Sequence, residues 1–377
     1  MVEIHNDIDI ELRQLQVEKG RQLGIMLSRR CNIACPQCIS RSSPHITIKE
    51  PQYDVSGLIR QAAHLSKDGV GPNILSFTGG EPFLNLKLLE RYSALANDYG
   101  LLAGAITNGF WASDLKRGKN ILSRLHCLCR IDVSTDFRHL QFIPFQTIEN
   151  AISLLCDSGQ MGEVRFARQI NDEGAYNEIC EILEKHDVSD RIHPSSLIYL
   201  DSKGCPVVPQ YRRADRAPLG PCFAITPVIE PSGRVLGCCG CLGNLAGSHA
   251  MVVGDITQAT LFEIYRSFHL NPFIQALRVG GIYEAINIFT TLLVHNWCIP
   301  WHDRESPCFT CFQFFKCMSS EDAKLVMSNS TLIARFAMLR FVLFGEEQGI
   351  DLLPTDARAV AHLCFETSQH MKQLWLG

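Results

Sequence analysis

Three cysteines stand within eight residues of one another, in Cys31-Asn-Ile-Ala-Cys35-Pro-Gln-Cys38. Thiolate sulfur is the ligand that iron–sulfur clusters require, and three thiolates on one short loop can wrap a single cuboidal [4Fe–4S] cluster. Three ligands for four irons leave one iron open to a substrate or cofactor. The competing reading is zinc. Zinc sites usually show paired Cys-x-x-Cys or Cys/His sets, and no fourth ligand is adjacent here. About forty residues on comes Thr78-Gly79-Gly80-Glu81-Pro82. Two glycines let a backbone edge approach a ligand closely, and Glu81 adds charge for an ammonium group. A β-branched residue at Gly80 then blocks that ligand while leaving the cluster in place. A plain strand-to-helix turn explains the same five residues if they are taken alone.

A second cysteine set lies in the C-terminal half: Cys222, Cys238-Cys239-Gly-Cys241, Cys298, Cys308-Phe-Thr-Cys311 and Cys317. The turn residues Glu230-Pro-Ser-Gly233 predict a hairpin that brings Cys222 and Cys238 together. Two separated cysteine pairs also suit a zinc site made of four thiolates. The chain has 17 cysteines in 377 residues and opens on charged residues rather than an export signal. Such cysteines are expected to be reduced and metal-binding rather than disulfide-bonded. Cys127, Cys129, Cys156 and Cys180 sit in apolar surroundings and read as core fillers.

The elements that must position these residues alternate regularly. Apolar runs predict strands at Leu23–Ser28, Asn73–Thr78, Leu101–Thr107, Cys129–Ser134, Val164–Arg168 and Leu197–Leu200. Helical periodicity falls between them, as in Val55, Leu58, Ile59, Ala62 and Ala63, in Leu88 to Tyr99, and in Ile148 to Leu155. Six β/α alternations imply an α/β fold with a parallel sheet, curved into an open barrel or doubly wound. In such sheets function gathers at the strand C-termini. The expected organisation is an N-terminal extension (1–21), the α/β unit (22–200), a Pro/Gly/Arg-rich linker (201–221), a cysteine-rich unit (222–318) and a helical tail (319–377). Ile282 to Trp297 reads as a buried helix because Glu284, Asn287, His295 and Asn296 interrupt it. The tail carries Leu332, Phe336, Leu339 and Val342 as an apolar stripe.

Cys-x3-Cys-x2-Cys followed by Gly-Gly-Glu-Pro resembles the radical S-adenosylmethionine (SAM) superfamily over roughly residues 22–200. The resemblance implies a partial (β/α)6 barrel. In it, SAM's amino and carboxylate groups chelate the open iron, and reductive cleavage yields a 5′-deoxyadenosyl radical that abstracts a substrate hydrogen. The protein's part is to orient SAM and exclude water. The resemblance places Gly79, Gly80, Glu81 and Pro82 at the methionine end of SAM. Asn108, in Thr107-Asn108-Gly109, would line the site. Ser134 and Asp136, in Asp-Val-Ser-Thr-Asp, match the family's fourth-strand segment, and Arg165 could pair with the SAM carboxylate. The family usually has an aromatic residue, near the adenine, just before the third cysteine; here it is Gln37. The C-terminal set resembles the SPASM/twitch extension. This implies at least one auxiliary [4Fe–4S] cluster on Cys222, Cys238, Cys308 and Cys311. Cys317 falls at the next position of the pattern, and Glu321 stands where a further cysteine is expected. Cys239, Cys241, Cys298 and Cys317 would supply ligands for a second auxiliary cluster, and Cys317 is a candidate metal ligand in either case. His139 is a candidate substrate or acid/base contact. His295, Trp297, Trp301 and His302 would shape the pocket or pack the core.

These resemblances imply modification of a ribosomal peptide by crosslinking, epimerisation or oxidation. The alternatives are a dehydrogenase or epimerase of small molecules in antibiotic or sugar biosynthesis, and a non-enzymatic iron–sulfur or zinc scaffold. An external electron donor such as flavodoxin or ferredoxin is expected. Thirty residues precede Cys31, fewer than a leader-binding domain needs, so a separate leader-peptide-binding protein is a further expected partner. A formal net charge of −4 gives no reason to expect nucleic acid, and the sequence has no membrane-spanning apolar run, so the expected location is the cytoplasm.

Overall fold

The computed structural model describes residues 20–48, 50–168, 172–196, 220–222, 224–293, 307–346, 349–353, 355, 357–363 and 366. It is an α/β fold built on one nine-stranded sheet in the order β6-β5-β4-β3-β2-β1-β7-β8-β9. The strands are β1 Gln22–Ser28, β2 Ile74–Gly79, β3 Leu102–Thr107, β4 Arg130–Thr135, β5 Met161–Arg168, β6 Ile192–Ser196, β7 Val228–Ile229, β8 Arg234–Leu236 and β9 Val252–Asp255. From β1 to β6 every pairing is parallel. The intervening helices are α1 Val55–Lys67, α2 Leu86–Asp98, α3 Leu115–Arg124, α4 Phe145–Ser158 and α5 Glu173–Lys185. A parallel sheet covered by helices is apolar on both faces. Accordingly Leu23, Ile25 and Leu27 are buried along with Leu75, Phe77, Ile131 and Val133.

The periodic apolar residues do the covering. Val55, Leu58, Ile59, Ala62 and Ala63 are the buried residues of α1. Ile148, Ala151, Ile152 and Leu155 are buried in α4. The sixth strand lies at Ile192–Ser196. The expected Leu197–Leu200 lies outside the described residues, as does linker segment 201–219.

The C-terminal strands continue the same sheet. β7 pairs parallel with β1 through Gly24↔Val228 and Ile25↔Ile229, and β8 and β9 follow antiparallel. The β7–β8 turn is the expected hairpin, closed by Gly233 N donating to Glu230 O at 2.9 Å. Beyond it come α6 Leu261–Leu270, α7 Pro272–Leu293, α8 Pro307–Cys317, α9 Ser320–Met327 and α10 Ser330–Phe344. Helix α7 breaks at Gly281, whose φ is +79°. A Cβ there would stand 1.9 Å from Gly220 O, so the break lets the chain leading to Cys222 pass against the helix. Glu346 ties α7 to α10 through Arg278 (2.6 Å) and Arg340 (3.1 Å). In the tail stripe Phe336 is buried, whereas Leu339 is exposed.

Of the four cysteines read as core fillers, half-buried Cys156 packs against the core, whereas Cys127 and Cys180 are only half-buried and Cys129 is exposed. Cys129 precedes β4 at the sheet's N-terminal edge, where apolar neighbours do not enclose it. Among the described residues no single helix is long and apolar enough to cross a membrane. Only α9 and α10 together, bent by 60°, meet the length and composition.

Candidate active site

The cluster loop leaves β1 and is pinned at once by the end of β2. Gly80 N donates to Ser28 O (2.6 Å) and Glu81 N to Arg30 O (2.9 Å). Cys31 N donates to Ser43 O at 3.1 Å, which closes the loop on its far side. Donors surround the sulfurs. Asn108 Nδ2 lies 3.7 Å from Cys31 Sγ, and Ser42 N donates to Cys38 Sγ at 3.3 Å. His139 lies close enough to Cys35 for the thiol to raise its pKa. Burial pushes the Cys31 thiol up to about 12. A buried thiol of that kind becomes a thiolate only when a metal compensates the lost hydration. Among the described residues no three His, Cys, Asp or Glu side chains close around a single metal ion. Three thiols on one loop, ringed by donors, fit the larger cuboidal group.

Cys31, Cys35 and Cys38 face a 380 Å³ cavity at the C-terminal ends of the parallel strands. Gly79, Gly80, Asn108, Ser134, Asp136, His139 and Arg165 also line it, so the structure brings most of the expected SAM-site residues to one place. Four details differ from expectation. First, Glu81 and Pro82 are not among the lining residues. The Glu81 carboxylate is buried and accepts from Asn108 N (2.7 Å), Thr107 Oγ1 (2.8 Å) and Phe83 N (3.0 Å). It clamps the end of β2 to the Thr107-Asn108-Gly109 turn rather than waiting for an ammonium. Burial holds this carboxyl up at about 7. Second, the side of Gly79 and Gly80 that a Cβ would occupy is filled by the chain itself. It would meet Ser28 O at 2.1 Å and Arg30 O at 2.0 Å. The glycines are required there by backbone packing.

Third, Arg165 already holds a partner. It makes a two-pronged contact to Asp132, at 2.9 and 2.7 Å, and is 30% exposed at the cavity wall. Fourth, Asp136 is engaged within the protein. It accepts from Arg138 N (2.7 Å) and His139 N (2.9 Å), and His139 Nδ1 lies 2.8 Å from its other oxygen.

The second thiol set gathers where β8 ends and α8 begins. Burial first, then neighbouring thiols, holds Cys238, Cys308 and Cys311 well above the usual thiol range. The neighbours are one another together with Cys222, Cys239 and Cys241. Cys222, Cys238, Cys308 and Cys311 are therefore brought together. Cys241 joins them, with its Sγ 3.6 Å from Cys308 O. Sequence spacing left Cys241 only as a spare ligand. Cys317 stands apart and is exposed. Cys308 and Cys311 share one face of α8, but at about 100° per residue Cys317 lies about 180° around from Cys308. Cys298, His295, Trp297, Trp301 and His302 lie outside the described residues.

The two sites share a wall. Cys238, Cys239, Gly240, Gly243 and Asn244 line the same cavity as the first three cysteines. Asn244 Nδ2 donates to Ile39 O in the cluster loop at 3.0 Å. Arg29, at the end of β1, pairs with Glu230, at the end of β7. No sequence pattern announced Arg29, Glu230 or Asn244, because each acts by meeting a residue some 200 positions away.

The 4Fe-4S single cluster domain family model matches residues 20–142. Over 135 residues the chain is 28% identical to the peptide biosynthesis protein YydG of Bacillus subtilis, covering 35% of this chain and 41% of that protein. The match thus spans less than half of that relative. Among solved structures, native anSMEcpe with bound AdoMet superposes with a TM-score of 0.50 at 14% identity, covering 85% of this chain and 98% of that one. BtrN in complex with AdoMet and 2-DOIA aligns at 0.42 and 17% identity, covering 69% of this chain and 87% of that one. The chain is thus similar to a 4Fe-4S single cluster domain over its first four strands, and it shares its fold with a protein that binds AdoMet.

Proposed function

We propose that the protein reductively cleaves SAM at a [4Fe–4S] cluster held by Cys31, Cys35 and Cys38, and uses the radical so formed to modify a ribosomal peptide. The observation that carries this is the convergence of those thiols with Gly79, Gly80, Asn108 and Ser134 on one cavity at the strand C-termini. The cluster, when bound, supplies the single electron that SAM cleavage needs. The chain's own residues do the rest. Asn108 and Ser42 stabilise negative charge on Cys31 and Cys38, and His139 does so on Cys35. Ser134, on the wall at the end of β4, offers a hydroxyl to SAM's ribose or carboxylate. The auxiliary loop closes the fourth side and limits water.

We place an auxiliary [4Fe–4S] cluster on Cys222, Cys238, Cys308 and Cys311, with Cys241 beside it. Four thiolates leave no open iron, which suits electron transfer or substrate anchoring. The similarity to a peptide biosynthesis protein supports a peptide substrate. An external donor of the flavodoxin or ferredoxin kind supplies the electron, and reduced thiols in this number suit the cytoplasm. The test is anaerobic reconstitution followed by dithionite and SAM. Wild type forms 5′-deoxyadenosine, and the Cys31, Cys35 and Cys38 triple Ala variant forms none while keeping auxiliary iron. Cleavage by the triple variant refutes the assignment.

A further inference from the structure

A second cavity, of 280 Å³, lies at the N-terminal edge of the sheet, the end opposite the cluster loop. One face of α6 builds most of it. Phe262, Tyr265, Arg266 and His269 follow at i, i+3, i+4 and i+7, and all four line the cavity. Val70, ahead of β2, and Asp351, in the turn beyond α10, add further wall. The deep part is uncharged. Tyr265 Oη donates to Gln22 O at 3.1 Å. Arg340 Nη1 lies 3.2 Å from His269 Nδ1, and a guanidinium can only donate, so that nitrogen accepts. Burial, with Arg340 and Arg278 acting against Glu346, holds this imidazole down at about 3, so it is neutral. The outer part is charged. Arg266 and Asp351 are both exposed, and neither makes an ion pair among the described residues. Phe262, on the same helix face, stands 52% exposed.

A concave site with an apolar interior and a few polar groups to set orientation is the usual form of a small-molecule site. The aromatic rings in this wall suit another ring. A guanidinium suits a carboxylate, and the carboxylate of Asp351 suits a cation. We infer that this cavity binds a free aromatic α-amino acid, with its ring against Tyr265 and Phe262, its carboxylate toward Arg266 and its ammonium toward Asp351. The site is distinct from the reactive cavity, since Gln22, which lines that one, is joined to Tyr265, which lines this one. It does not depend on the SAM reading.

Isothermal titration of L-phenylalanine into the anaerobically reconstituted protein, without SAM, tests this. Saturable binding at one site is expected. L-phenylalaninamide lacks the carboxylate and 3-phenylpropionate lacks the ammonium, and each should bind about fivefold more weakly, the size expected of an exposed ion pair. Arg266→Gln should no longer distinguish L-phenylalanine from its amide, yet still distinguish it from 3-phenylpropionate. Asp351→Asn should do the reverse. Val70→Trp fills the cavity and should abolish binding. If that variant melts early, the two charge variants decide alone, because both positions are exposed. Absence of saturable binding, discrimination that ignores both charge variants, or binding that survives in a folded Val70→Trp protein each overturns the inference. None of these outcomes bears on SAM cleavage.

Discussion

Replacing Gly80 by Ala tests whether the Gly-Gly-Glu-Pro segment serves the cluster loop or the ligand. The added Cβ would stand 2.0 Å from the Arg30 oxygen and 2.4 Å from its carbon, and contacts under 3.0 Å essentially do not occur. Both neighbours are backbone, so no side chain can swing aside. The two segments must part by about 1 Å, which takes Gly80 N–Ser28 O (2.6 Å) and Glu81 N–Arg30 O (2.9 Å) out of hydrogen-bond range. Two such bonds at about 1 kcal/mol each, plus the stranded carbonyls, amount to about 2–4 kcal/mol. The strain falls one residue before Cys31. Sequence alone suggested that bulk at Gly80 would exclude SAM and spare the cluster; the structure reverses this, and the variant should bind less iron. The measurements are iron per chain after anaerobic reconstitution, the cluster's visible absorbance, and thermal unfolding. Gly174→Ala is the control: its Cβ meets nothing within 4 Å, so stability should be unchanged or higher. If Gly80→Ala loads wild-type iron and melts with wild type, the packing argument fails.

Cys308→Ala should lose the auxiliary iron and substrate turnover while retaining uncoupled SAM cleavage, whereas Cys317→Ser, on the far side of α8, should keep both. Metal analysis counts the clusters: about eight irons per chain means one auxiliary cluster and about twelve means two, and zinc in their place removes the auxiliary assignment. The folded chain keeps its proton on Glu81 up to about pH 7, against 4.5 unfolded, so this carboxyl's contribution to stability is full below pH 4.5 and fades as pH rises to 7. The loss is about 3 kcal/mol, so chemical denaturation of Glu81→Gln from pH 5 to 8 should show a correspondingly flatter profile, and parallel profiles would contradict the burial. Glu346→Ala removes the carboxylate that Arg278 and Arg340 share and should cost about 3–5 kcal/mol in urea unfolding, whereas a change within about 0.5 kcal/mol would show that the pair contributes little.

The parallel sheet and the first thiol set were legible because both are local patterns. Strand positions follow from short apolar runs, and Cys31, Cys35 and Cys38 from spacing within one loop. Boundaries moved, by one residue at β2 and by three at the start of β5, because ladder pairing rather than composition sets where a strand begins and ends. What sequence could not show was direction. Glu81 in a ligand-binding motif and Glu81 bound to the Asn108 amide have the same sequence; only the fold puts the turn of β3 within 2.7 Å of its carboxylate. Cys317 fits a spacing pattern and yet projects away, because helix α8 rotates it out of the group. Arg165 was expected to meet a carboxylate and does, but the carboxylate is the protein's own Asp132.

The expected division into a barrel, a linker and a separate cysteine unit also misses how the two thiol sets are related. β1 launches the cluster loop at one end and, along its free edge, pairs with β7. Through β7 and β8 that same strand sets the height of Cys238 above the cavity. The Arg29–Glu230 pair and the Asn244–Ile39 hydrogen bond lock the arrangement on both sides of the mouth. An isolated exposed ion pair is worth little, but this one has Glu230 only 8% exposed and joins elements already fixed by strand pairing. The second thiol set is therefore held by the sheet's own first strand, through continuous strand pairing from β1 to β8. A substrate entering the cavity meets Cys238 and Cys239 on one wall and Cys31, Cys35 and Cys38 on another. One cavity thus gives both thiol sets access to the same bound molecule.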